Sequence, residues 1–268
     1  MRPLRIGWFT TARDEASFKL LQVVYNEVVK GNLNLNISYV FVSKEREETP
    51  MARLFIDTAE KEMGLRVITF SALKFKPELR KENIEFWRKL YHHEILQRIP
   101  EEVDLGMLAG YMWIVSPEFC EKIPLLNLHP ALPGGPKGTW QEVIWQLISA
   151  RSAETGIMIH RVTTELDEGP PLTFVRFSLR TPEFEPLWIE TEKILLKYHL
   201  KGLREKEGEG NALFRKIRSE GVKRELPLIV LTLKYFSEGR IAWDCQALPV
   251  DLTREVDNYV AASFQNIK

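Results

Sequence analysis

The sequence predicts an α/β protein, a mostly parallel twisted sheet flanked by helices. Three observations carry that expectation. Short runs rich in Val, Ile and aromatic residues recur along the first 180 residues. Segments with apolar residues at helical spacing separate them. Those segments are long enough to cross over between parallel strands, where a hairpin would need only two residues.

The elements follow in order. Leu4 to Thr10 (LRIGWFT) is the first strand, ended by the loop TTARDEAS. From Asp14 to Lys30 the apolar residues Phe18, Leu21, Val24, Val28 and Val29 fall on one helical face, and Gly31 supplies a stop. Ile37 to Ser43 is the second strand. Met51 to Met63 reads as a helix closed by Gly64, and Leu65 to Phe70 as the third strand. A single charged helix is expected from Pro77 to Gln97, then a fourth strand at Asp104 to Leu108 and a fifth at Leu125 to His129. A helix at Trp140 to Arg151 precedes two further strands, Thr155 to Val162 and Pro171 to Leu179, joined by TTELDEG. Beyond Thr181 the pattern becomes charged helix with a break at 205–210. A final helix is expected over Leu226 to Phe236 with Pro227 in its first turn, a tolerated place, and a late strand over Arg240 to Gln246. The division expected is a domain over 1–180 and a mainly helical C-terminal extension over 181–268.

The chain has 268 residues, 44% hydrophobic and 28% charged, with 37 basic and 37 acidic residues. Such a balance argues against broad nucleic-acid binding, which needs a basic excess. Cys120 and Cys245 give no disulfide framework, so a reduced, cytoplasmic setting is expected. The start, MRPLRIGWFT, lacks the apolar core of a secretion signal, and no run of about 18 apolar residues suggests a membrane span.

Ligands of open α/β sheets bind at the carboxyl ends of the strands. At the end of the fifth strand stand Asn127 and His129, two residues apart and so on one side of the strand. Asp167 lies in the later turn TTELDEGPP. An amide N–H can donate to a developing oxyanion, an imidazole can carry a proton near neutral pH, and a carboxylate can hold the imidazole's charge. This trio suits acyl transfer by direct attack of an amine or water, since no serine or cysteine neighbours His129. On residue type alone, a structural histidine and a turn-forming aspartate are the commoner roles.

Three stretches sharpen the choice. Asn127-Leu128-His129-Pro130 is followed by a Pro/Gly loop and a helix. His160-Arg161-Val162-Thr163-Thr164-Glu165-Leu166-Asp167-Glu168-Gly169-Pro170 comes next. Before both stands Leu108-Ala109-Gly110-Tyr111-Met112-Trp113-Ile114-Val115-Ser116-Pro117. In this order and spacing they resemble the folate-dependent formyltransferases, most closely the branch that formylates glycinamide ribonucleotide in purine biosynthesis and one-carbon metabolism. The segment LPLIVLTLKYFSEGR, 226–240, resembles that family's C-terminal helix and turn. The resemblance implies a Rossmann-like formyltransferase fold and 10-formyltetrahydrofolate as co-substrate. It implies that Asn127 and His129 hold the formyl oxygen and that Asp167 sustains the charge on His129. It places the pterin pocket at Leu108, Gly110, Tyr111, Met112, Ile114, Val115, Glu165, Leu166 and Glu168. The acceptor, a small phosphate-bearing amine, is expected at Thr10, Thr11, Ala12, Arg13 and His160. No metal is implied, nor a nucleic-acid or membrane partner, and the expected assembly is a monomer or homodimer.

Three departures stand out. The family's first loop is glycine-rich and cradles the substrate phosphate, whereas TTARDEAS has no glycine. Arg13 can pair with a phosphate, while Asp14 and Glu15 oppose it and Asp14 can simply cap the helix. Trp113 stands where an arginine is common. Residues 181–217 are longer than the family norm. A sugar-amine formyltransferase, a formyltetrahydrofolate hydrolase and a non-catalytic folate binder therefore stay open. The hydrolase is expected to carry an extra N-terminal domain, and this chain starts at its first strand. A transfer-RNA formyltransferase, with its C-terminal barrel, does not fit the neutral helical tail. An ordinary dinucleotide-binding domain lacks its G-x-G-x-x-G here. Tyr91-His92-His93-Glu94 reads as a solvated helix face rather than a metal site, and Trp140 and Trp145 as helix packing.

Overall fold

In a computed structural model the described residues are 2–100, 102–165, 168–243 and 248–265. Eight strands join in one sheet in the order β3-β2-β1-β4-β5-β6-β7-β8. They are β1 Leu4–Thr10, β2 Leu35–Val42, β3 Val67–Thr69, β4 Leu105–Leu108, β5 Leu125–His129, β6 Glu154–Arg161, β7 Pro171–Ser178 and β8 Val250–Asp251. The pairs β1–β2, β1–β4, β2–β3, β4–β5 and β7–β8 are parallel. At β6 the direction reverses. The Val162 N–H donates to the Leu125 carbonyl at 2.8 Å while the side chains of Asn127 and His160 meet at 3.2 Å, so the chain there runs against β5. The sheet is thus mixed and mostly parallel.

The helices are α1 Glu15–Val29, α2 Pro50–Asp57, α3 Pro77–Glu82, α4 Ile84–Arg98, α5 Pro117–Lys122, α6 Trp140–Ser149, α7 Glu185–Lys206, α8 Ala212–Ser237 and α9 Thr253–Gln265. Asp14 caps α1 by accepting from the Ser17 N–H at 3.0 Å, and Gly31 follows its end at φ +74°. Thr139 and Glu142 form a reciprocal capping box at the start of α6.

Four expectations are corrected. The helix expected over Pro77 to Gln97 is two, because Asn83 leaves the helical region (φ −148°) and its side chain accepts from the Phe86 N–H to start α4. Pro227 lies inside α8 rather than in a first turn. Residues 240–243 of the expected late strand form bends and a turn, and its remainder lies outside the described residues. His92 is buried at 0% exposure rather than on a solvated face.

The chain divides into two compact units. One comprises Met1–Leu128, Ile159–Pro170 and Ile229–Leu248; the other His129–Met158, Pro171–Leu228 and Pro249–Lys268. The first is built on aromatic packing. Phe9 meets Phe119 edge-to-face at 5.4 Å, and Trp87 stacks on Tyr91 at 4.9 Å. Such pairs add about 0.5–1.5 kcal/mol each beyond the area they bury. In the second unit Trp145 of α6 packs on Phe214 of α8 at 4.7 Å, and Trp140 on the same ring at 5.8 Å.

Candidate active site

Register decides which residues share the carboxyl edge of the sheet. Phe9 pairs with Leu108, and Leu108 with Asn127. The ends of β1, β4 and β5 therefore stand level. The loops that leave them are 11–14 and 109–116.

The loop after β4 is held from within. Gly110 adopts φ +69°, and a Cβ there would lie 2.8 Å from Cβ of Ser17, so the position is closed to larger residues. The Tyr111 side chain is buried, and its hydroxyl donates to Nε2 of His92 at 3.1 Å. His92 Nδ1 donates to the Arg88 carbonyl at 2.9 Å, which fixes the tautomer, because a carbonyl can only accept. Burial drives the His92 pKa down to about 3, with the Arg88 carbonyl bond opposing in part. Leu108, Tyr111 and Val115 are buried, whereas Met112 and Ile114 are 46% and 39% exposed. The loop thus turns apolar side chains outward at 112 and 114. The half-buried Trp113 donates its indole N–H to Ser43 Oγ at 3.2 Å and packs on Trp87 at 5.2 Å. The Arg80 guanidinium lies 5.8 Å from the Trp113 ring.

The loop after β1 has its polar groups turned inward. The Thr11 N–H donates to the Gly110 carbonyl at 3.0 Å. Ala12, at φ +46°, donates its N–H to Thr10 Oγ1 at 3.1 Å. Thr11 Oγ1 accepts from the Met112 N–H at 2.9 Å and from Ser43 Oγ at 3.1 Å. Thr10 and Thr11 are buried; Arg13 is exposed, with one guanidinium nitrogen 3.7 Å from Met112 Sδ. The left-handed turn that glycine would favour is kept by Ala12, but the amides of 11 and 12 are already occupied.

At the end of β5, Asn127 Nδ2 contacts His160 Nε2 at 3.2 Å, and His160 Nδ1 donates to the Arg161 carbonyl at 2.8 Å. His160 is 2% exposed. The His129 ring is also buried, and its Nε2 donates to the Pro136 carbonyl at 2.8 Å. That bond belongs to the Pro/Gly loop, where Gly134 and Gly138 both take positive φ and Gln146 Nε2 holds the Lys137 carbonyl at 3.0 Å. Glu165 and Glu168 are exposed, and the Glu168 N–H reaches the Glu165 carbonyl at 3.4 Å. Leu166 and Asp167, between them, lie outside the described residues. Among the described residues no group of His, Cys, Asp and Glu is arranged to hold a metal ion, and no helix is long and apolar enough to cross a membrane.

The sequence reading missed Ser43, His92 and α5. Ser116-Pro117 was a readable start for α5, a capping serine before a first-turn proline. Ser43 had no such signal, since only the sheet brings it to Thr11.

An open α/β sheet thus carries an amide and an imidazole at the end of β5. The chain belongs to the formyl transferase family, whose model matches residues 16–179, more than half its length. It is 35% identical over 96 residues to the phosphoribosylglycinamide formyltransferase of Schizosaccharomyces pombe, covering 33% of this chain and 46% of that enzyme. The Dictyostelium discoideum enzyme of the same name is 29% identical over 160 residues, 56% of this chain and 73% of that one. The matched stretch is thus about half of the fission-yeast relative. Among solved structures, glycinamide ribonucleotide transformylase 1 from Symbiobacterium toebii superposes with a TM-score of 0.59 at 18% identity, covering 90% of this chain and 91% of that one. A formyltetrahydrofolate deformylase from Burkholderia mallei does so at 0.55 and 18%, covering 90% and 67%. These structural likenesses establish the fold.

Proposed function

We propose that this protein is an enzyme that transfers a formyl group from 10-formyltetrahydrofolate to a small-molecule primary amine, with glycinamide ribonucleotide as the leading acceptor. The observation that carries this reading is the placement of Asn127 and His129 at the end of β5 in a chain of the formyl transferase family. The folate donor supplies an activated formyl carbon on N10. The amine nitrogen bonds to that carbon, the bond to N10 breaks, and the amine's proton ends on N10.

In this reading Asn127 donates an amide N–H to the formyl oxygen as it gains charge. His129, whose Nε2–H donates to the Pro136 carbonyl, is the group that takes up and releases a proton. Asp167 sustains the charged ring. Leu108, Gly110, Tyr111, Met112, Ile114 and Val115, with Glu165, Leu166 and Glu168, form the folate pocket. The exposed Met112 and Ile114 fit a flat heteroaromatic ring. Thr10, Thr11, Ala12, Arg13 and His160 belong to the acceptor side. Residues 1–180 form the catalytic part and 181–268 its extension; the setting is cytoplasmic, and the assembly a monomer or homodimer.

The inward-turned loop after β1 favours a second acceptor class, sugar amines, whose hydroxyls need no anion cradle. The test is to mix the protein with formyl donor and either glycinamide ribonucleotide or an amino sugar without phosphate, and to follow tetrahydrofolate release. Release with the ribonucleotide supports the leading acceptor. Release only with the sugar supports the second class, and formate without acceptor would turn the assignment to a hydrolase.

A further inference from the structure

We propose that His160 is a positioning residue: its ring holds the Asn127 amide with the NH2 group toward Nε2, so that the second amide hydrogen is presented in a fixed direction. The inference rests on the formyl-transfer reading above for its consequence, and on local geometry for its substance.

Hydrogen-bond roles settle the orientation. The Arg161 carbonyl is an acceptor only, so His160 Nδ1, 2.8 Å away, must carry the hydrogen. In the proposed neutral tautomer only a lone pair remains at Nε2. The Asn127 group 3.2 Å from that lone pair must be the NH2 and not the oxygen, because two acceptors repel. One amide hydrogen points at His160, and the planar group fixes the other. The His160 ring is buried and the Asn127 amide part-buried, where an alternative orientation would leave polar groups unpaired.

A third residue secures the arrangement. Gly169 is buried, and a Cβ at that position would lie 1.7 Å from the Arg161 carbonyl oxygen and 3.3 Å from His160 Nδ1. Only glycine lets that oxygen stand where it fixes the tautomer. The Arg161 N–H in turn donates to the Pro170 carbonyl at 3.0 Å, tying the next residue down. Glycine 169, histidine 160 and asparagine 127 thus form one chain of constraint, which explains in physical terms why the histidine and the glycine stand nine residues apart in the sequence.

The experiment has two arms. In the wild-type protein, nitrogen-15 NMR of the histidine rings is expected to show His160 protonated at Nδ1 and bare at Nε2; a hydrogen on Nε2 alone overturns the proposal whatever the protein catalyses. In the kinetic arm, His160→Leu is expected to lower kcat by about 10- to 100-fold with KM for the folate donor within about twofold. His160→Gln, which keeps an acceptor, is expected to recover most of the rate and serves if the leucine variant does not fold. In an Asn127→Ala background, His160→Leu is expected to cost less than about twofold more, since a shared unit is lost only once. Equal losses in both backgrounds overturn the proposal. Absence of formyl transfer in the wild type would instead refute the catalytic reading, and the NMR result would still decide the Asn127–His160 relation.

Discussion

The ends of β1 and β5 stand level in the same sheet and treat their polar groups in opposite ways. At the end of β5 a side-chain amide is oriented by a neighbour that takes one of its hydrogens and leaves the other. At the end of β1 two threonine hydroxyls absorb the amides of Ala12 and Met112, donors that a bound anion would use. One end is preset for a ligand atom, while the other is closed on itself. In the proposed reading the chemistry and the acceptor's phosphate are handled on separate loops, so one can change without the other.

The strongest way to break this contrast is His129→Ala. It is expected to lower kcat/KM by about 10²- to 10⁴-fold in the tetrahydrofolate-release assay, and unchanged turnover would remove the imidazole from the chemistry. Next, Asn127→Ala is expected to cost about 10²- to 10³-fold, the usual loss for one oxyanion donor. A loss confined to KM would mean the amide binds rather than stabilises charge.

His92 tests the loop shared by both ends. Burial holds its pKa near 3, below the ordinary 6.5. The unfolded chain takes up a proton that the folded ring refuses. Stability from the neutral ring is therefore full above pH 6.5 and falls as pH drops from 6.5 toward 3. At pH 5 the loss is about 2 kcal/mol. Urea titrations at several pH values should show that slope in the wild type and a shallower one in His92→Gln. Equal slopes would place the ring in water.

Thr11→Val addresses the closed end. It strips a partner from the Met112 amide and from Ser43 Oγ, and should lower stability by about 1–2 kcal/mol, a drop of a few degrees in Tm. An unchanged Tm would mean those donors find other partners and the loop is not closed. The smallest effect is expected at Arg13→Ala. Its exposed guanidinium should change KM for a phosphate-bearing amine by less than about fivefold. A larger change would reopen the β1 loop as a true anion site.

Much of this frame was legible. β1 and β5 were read to the residue, because each is a continuous apolar run bounded by turn formers. Asp14 as the cap of α1 was equally local. The failures share a physical cause, which is that a local rule was overridden by packing or by a competing hydrogen bond. Asn83 can satisfy an amide three residues on, and that one bond splits a run that periodicity reads as continuous. Pro227 would open a helix by its own geometry, yet buried Leu213, Phe214 and Ile217 carry α8 through from before it. His92 reads as solvated within the polar run 91–94, but it lies three residues before Ile95 and so shares that buried face. At the candidate site, the types and order of Asn127, His129 and His160 were readable, whereas the direction of each hydrogen bond was not. Direction depends on which carbonyl lies beside each ring nitrogen, and neither Pro136 nor Arg161 announces that in sequence.

Position 113 offers one last consequence. Trp113 places an indole there. In space the guanidinium of Arg80, arriving from α3, lies over the face of that indole and over Trp87 at 5.9 Å. A cation thus already faces that ring, so exchanging Trp113 for arginine would bring two like charges together.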